Sequence, residues 1–333
     1  DVTVKVLLDP LYDGEHTLTT ENVWEDYLGI YTEEALAGKT IEIPAGWHIR
    51  NGYILEPMSE NWDNENCEDP TPMIYSKSYT IDGNNNTVTF EPYQYKFVAK
   101  NAFAAFGENV EVTVKDITFK GEHFGVFGGV HGKGRDKFVT NFENVNIINN
   151  GNYYYSRQGD IPLTMFAASG TVRVENCNIT GSYWVGKEKD GNVLAESRFE
   201  KFKGVYDVFV ANTDTKNKKY TTINNSSIGR IYVHNHGNLI VTGSSEIDEI
   251  VSNPLVYGTL TIENGVKVET IDITQLSSYA PTITIEAGAE IGTLSLNCEE
   301  GKTLNKTKIL IKEGATIGKI KVNGTEVASL DEI

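Results

Sequence analysis

From Thr221 to Val322 the chain repeats one pattern of apolar and polar positions five times. A short alternating run ends at Ile223, Val241, Ile262, Ile285 and Ile311 in turn. A turn residue follows within two or three positions, at Ser226, Gly243, Gly265, Gly288 and Gly314. A second apolar residue comes next, at Ile228, Ile247, Val268, Ile291 and Ile317. A third stands three residues further on, at Ile231, Ile250, Ile271, Leu294 and Ile320. Alternation with period two predicts short strands. A recurrence every ~20–25 residues predicts a chain that winds on itself, each turn burying its apolar positions against the next.

The rhythm starts earlier but is interrupted. Thr40–Gly46 (TIEIPAG) and Tyr79–Phe90 (YTIDGNNNTVTF) read as strand and turn. Val114–Phe119, Phe142–Ile147 and Val174–Ile179 share a template in which Asp116, Asn144 and Asn176 stand two residues after an inward apolar position. Asp and Asn tolerate a left-handed backbone and bond to their own main chain, so these positions predict sharp bends whose side chains stack into a polar ladder. Thr20–Ala37 carries Val23, Trp24, Tyr27, Leu28 and Leu36 among acids and predicts one or two short helices over the open end of the stack. The expected organisation is a strand and helical cap over residues 1–39, then one continuous parallel domain of about 10–11 coils over 40–333. Long loops are expected at 47–78, 121–137, 151–162 and 183–220. The first two-thirds are therefore decorated and the final third plain, and function is expected on the loops.

Net charge is −17. That argues against nucleic acid, which is held mainly by Lys and Arg, and against polyanionic substrates. Three cysteines with no CxxC spacing give neither a disulfide framework nor a zinc site, and Cys177 falls on a buried repeat position. No stretch is long and apolar enough for a transmembrane helix. The chain opens at Asp1 without Met, as a trimmed, exported product would, and an extracytoplasmic location is the expectation.

TIEIPAG, YTIDGNNNTVTF and the three coils with Asp or Asn at the bend resemble the pectin-lyase-like superfamily, over roughly Thr40 to Val322. The resemblance implies an all-β fold, a single-stranded right-handed parallel β-helix, of the bacterial surface or secreted type. It implies no one activity, because that fold hosts lyases, hydrolases, tailspikes, adhesins and proteins without catalysis.

Polygalacturonase-like members carry paired aspartates, Gly-His-Gly and Arg-x-Lys on consecutive coils, and the chain has no Asp-Asp pair and no Gly-His-Gly. His131, Arg135 and Asp136 in HGKGRD keep the residue types without the spacing. Asp63, Glu65 and Asp69 offer carboxylates to calcium without a full ligand loop. The Gly-rich GGVHGKGRD fails the phosphate-loop pattern, and His234 with His236 lacks a third metal ligand. The aromatics give a different signal. Tyr153, Tyr154, Tyr155 and Trp184 fall on two successive excursions, which emerge about 5 Å apart on neighbouring levels. Aromatic faces beside polar groups suit sugar rings.

The reading is a non-enzymatic, exported protein that presents a carbohydrate-binding face between about His123 and Trp184, with no cofactor. The alternative is a polysaccharide lyase or glycoside hydrolase with a non-standard site, drawing on His123, His131, Arg135, Asp136, Arg157 and Asp160. A structural or adhesin subunit ranks third.

Overall fold

Alternation decides which side chains meet. In a computed structural model, the chain is described at residues 3–5, 40–42, 48–49, 78–90, 100–101, 111–121, 124–127, 139–149, 152–153, 163–167, 170–180, 183–184, 206–210, 219–233, 237–252, 258–275, 280–298 and 300–330. Twenty-three of the strands form a single sheet, and two short ones form another. Among the described residues every pairing is parallel except one, a C-terminal hairpin between Thr316–Val322 and Thr325–Val327. The only helical element among them is the 3-10 turn Lys306–Lys308. The architecture is all-β and solenoid-like. The helical cap expected at Thr20–Ala37 lies outside the described residues.

The strands pile into three columns. In the first, Cα register runs Val4, Ile41, Ile81, Val114, Phe142, Val174, Ile223, Val241, Ile262, Ile285, Ile311. The second links Ile228, Ile247, Val268, Ile291 and Ile317. The third links Ile231, Ile250, Ile271, Leu294 and Ile320. These are the three apolar positions of the repeat, so each sequence period is one rung. Ile223, Val241, Ile262 and Ile285 are fully buried, and one core runs through the stack from Ile81 to Val322. Full burial of each such side chain contributes about 1.5–3 kcal/mol.

The bends between the first two columns follow the expected chemistry with one correction. Asp116, Asn144 and Asn176 hold φ of 51°, 54° and 52°. Asn144 Nδ2 donates to Asp116 Oδ1 at 2.8 Å, which starts the ladder. Gly243, Gly265, Gly288 and Gly314 take the left-handed position in later rungs. Ser226, expected as a turn residue, does not. Its neighbour Asn225 carries the positive φ of 47°, and Ser226 turns inward, 3% exposed. There the Ser226 hydroxyl accepts from Cys177 N–H at 3.0 Å and donates to Asn224 C=O at 2.7 Å. The Ser245 hydroxyl accepts from Ser226 N–H at 3.2 Å. Serine suits this corner because a hydroxyl both donates and accepts, and it satisfies buried main-chain groups that a bend leaves unpaired.

The far end closes on the hairpin. Asn323 and Gly324, at φ 49° and 79°, turn the chain so that Thr325–Val327 runs back along Ile320–Val322. Two positive φ values at an Asn-Gly pair are what a two-residue hairpin requires. Val327 and Leu330 pack against the core there.

Candidate functional site

The excursions are rooted where two rungs agree. Ile147 pairs with Ile179 and Ile148 with Thr180 at the end of the second column. Beyond the corner, Asn152–Tyr153 pairs in parallel with Tyr183–Trp184, with Asn152 opposite Tyr183 and Tyr153 opposite Trp184. The register offset falls from 32 at Ile148–Thr180 to 31 at Asn152–Tyr183, so the earlier corner holds one more residue. Both chains return in register as well, Leu163 opposite Tyr206 and Met165 opposite Val208. Residues 154–162 and 185–205 thus connect the same pairs of strand positions on consecutive rungs.

This brings the backbones of Tyr153 and Trp184 together. Parallel partners lie about 4.8 Å apart, the spacing of one rung. His123, His131, Arg135, Asp136, Tyr154, Tyr155, Arg157 and Asp160 lie outside the described residues, as do Asp63, Glu65, Asp69, His234 and His236.

Sequence reasoning missed a second aromatic row. On the third column Phe127, Phe166, Phe209 and Tyr232 stand in one register, on four consecutive rungs. Val208, Val210, Ile231 and Val233 belong to the central core, and Phe209 and Tyr232 alternate with them on the opposite face. The two rings stack with centroids 5.4 Å apart. They face away from the core and are nevertheless only 5% and 4% exposed. The signal was present in FGVF, TMFA, YDVFV and SIGRIYV, where an aromatic directly follows an inward apolar residue.

Beside this row lies a buried carboxylate. Asp207, 2% exposed, accepts from Arg230 N–H at 2.9 Å through Oδ2. The Arg230 side chain turns to the next rung, where its Nε donates to Glu249 Oε2 at 2.6 Å. The buried carboxyl group is hydrogen-bonded, and these groups tie three rungs of the third column together.

The outer surface of the first column carries a separate polar network. Asn141 Nδ2 donates to Glu111 Oε1 at 2.7 Å and Arg173 Nη1 donates to Asn141 Oδ1 at 3.0 Å. One rung earlier, Lys115 pairs with Asp82 at 2.7 Å, and that carboxylate raises the ammonium pKa above its ordinary value. Cys177 is set apart from such chemistry, since burial pushes its thiol up to about 12. Among the described residues no group of three or more His, Cys, Asp or Glu side chains is placed to hold a metal ion, and no helix is long and apolar enough to cross a membrane. No protein-family model, curated protein or solved structure matches the chain.

Proposed function

We propose that the chain is a right-handed parallel β-helix of the pectin-lyase-like type, exported, without catalytic activity, that binds carbohydrate on a face rooted at Tyr153 and Trp184. The observation that carries the reading is the parallel pairing that sets these two aromatic residues opposite each other at the root of the two loops. Aromatic faces suit sugar rings, which present C–H on one side and hydroxyls at the edge. The net charge of −17 favours neutral glycans over polyuronates, which the protein's field repels.

A glycan array probed with the chain and with a Tyr153→Ala/Trp184→Ala double variant tests this. The expected result is binding to neutral oligosaccharides that the double variant loses while its thermal midpoint stays unchanged. Binding that survives the double substitution removes the site, and an array without hits removes the ligand class. New reducing ends, or the ultraviolet absorbance of an unsaturated uronide, would overturn the non-enzymatic part.

A further inference from the structure

The two cysteines among the described residues stand in different surroundings. Cys177 is buried, and its thiol lies against the Phe142 and Glu175 carbonyl oxygens. Cys298 is only half-buried. On the third column Leu294, Leu296 and Cys298 follow one another along the inward face, opposite Ile271, Ile273 and Gln275 of the preceding rung. Polar groups of the neighbouring chain meet at Cys298. Its S–H donates to Lys302 C=O at 3.1 Å. On the following rung Asn323, held at a φ of 49°, donates from Nδ2 to Sγ at 3.3 Å, and its Oδ1 accepts from Cys298 N–H at 2.8 Å.

Gln275 supplies an independent observation at the same corner. It is 2% exposed, and its Oε1 accepts from Asn305 N–H at 2.8 Å. Its Nε2 is buried and has no hydrogen-bond partner among the described residues. A buried donor left unused is costly, and native structures hold few of them. Register partners of a parallel ladder point to one face and lie about 4.8 Å apart, so Gln275 stands beside Cys298. The stretch 302–305 joins the two side chains from above. Lys302 takes the hydrogen bond of the sulfur, and Asn305 holds the oxygen of the glutamine. The unused amide donor therefore belongs to the corner that contains the accessible thiol.

We propose that Cys298 is a site of reversible oxidation by hydrogen peroxide, its sulfenic acid held in the corner formed by Gln275, Lys302 and Asn323. The sulfur attacks one peroxide oxygen. An S–O bond forms as the O–O bond breaks, and the thiol proton leaves with the departing hydroxide as water. Sulfur is oxidised and the peroxide reduced. The product matches what the corner offers. The sulfenic O–H donates to Lys302 C=O in place of the S–H, the new oxygen accepts from Gln275 Nε2, and the sulfur keeps the Asn323 amide. The reduced thiol uses two of these three groups and leaves over the buried donor. Half-burial admits a molecule as small as peroxide. The inference stands independently of the glycan reading.

The folded chain is treated with graded hydrogen peroxide, trapped with dimedone and read peptide by peptide by mass spectrometry, so that each cysteine reports separately. The expected result is a dimedone adduct on Cys298 and none on Cys177, with the Cys298 adduct abolished by dithiothreitol added before the trap. Gln275→Met keeps the length of the side chain and removes the donor. It should shorten the lifetime of the Cys298 sulfenic acid, timed after catalase removes the peroxide, by about two- to tenfold, the worth of one hydrogen bond, and raise the share of irreversible sulfinic acid. The parent unfolded in urea supplies a thiol without the corner, and its sulfenic acid should decay as fast as that of the variant. Absence of a Cys298 adduct overturns the proposal. A lifetime that is equal in parent, Gln275→Met and unfolded chain overturns it too, and makes Cys298 an accessible thiol without a built site. Thermal melts confirm that each variant is folded, and Gln275→Glu, which keeps an acceptor for Asn305 N–H, carries the test where Gln275→Met does not fold.

Discussion

Asn144 Nδ2 lies 2.8 Å from Asp116 Oδ1, and both residues hold the left-handed backbone, at φ 54° and 51°. One residue type thus does two things at this bend. It tolerates a conformation that costs most residues roughly 1–2 kcal/mol, and it bonds to the rung before. Asn144→Ala should lose both, lowering stability by about 2 kcal/mol, while Asn144→Gly keeps the bend and loses only the bond, a cost of about 1 kcal/mol. Denaturant midpoints of the two variants check this. Equal losses would show that the left-handed backbone carries no penalty here, and an unchanged Asn144→Gly would show that the ladder contributes nothing.

Ile285 sits between Ile262 and Ile311 in the first column and is fully buried, whereas Ile311 on the last rung is half-buried. Ile285→Ala should cost about 2–5 kcal/mol, and Ile311→Ala clearly less, because the end rung has neighbours on one side only. Ile285→Asp should cost more than either, since it buries a charge. None of the three should change glycan affinity in the folded fraction, while Trp184→Ala should change affinity and leave the melting curve in place. Reversal of that division would place the ligand on the plain rungs.

Gly258 lies against Gly237 of the preceding rung, and a Cβ on Gly258 would fall within bonding distance of the Gly237 carbonyl oxygen. That oxygen accepts from Thr259 N–H at 3.2 Å, so it cannot retreat without losing a rung-to-rung bond. Gly258→Ala should therefore cost at least the ~1–3 kcal/mol of an overpacked site. Gly301→Ala is the control. Nothing lies within 4 Å of its Cβ, and only its φ of 74° is penalised. Chemical denaturation of both variants should rank Gly258→Ala as the more damaging.

Burial, and then the neighbouring Glu269, raise the Asp248 pKa above its ordinary 3.8. An acid with a raised folded-state pKa binds more protons folded than unfolded, so its effect on stability turns unfavourable as pH rises from 3.8 through the folded value. Asp248→Asn should then raise the melting temperature at pH 7 by a small margin, because Asp248 is largely exposed, and the gain should vanish below pH 3.8. A gain that is equal at both pH values would assign the effect to packing.

The sequence by itself determined the rungs. Period-two alternation inside a repeat of about 20–25 residues leaves one way to bury Ile223, Ile228 and Ile231 together with their counterparts, and all three columns have the register those positions imply. The bends at Asp116, Asn144 and Asn176 were legible for the same reason, since a left-handed backbone admits few residue types. The inward Ser226 was not. Whether a serine turns the chain or faces into the corner depends on which main-chain groups of the neighbouring rung lack partners, and only the stack decides that. The outward row of Phe209 and Tyr232 escaped the sequence because an aromatic beside a buried valine reads equally well as core or surface. The pairing of Tyr153 with Trp184 could be expected from two excursions one rung apart, yet their register was decided by the extra residue in one corner. A repeat fixes what every rung shares. Contacts between the departures from the repeat are nonlocal, so only the tertiary structure decides them.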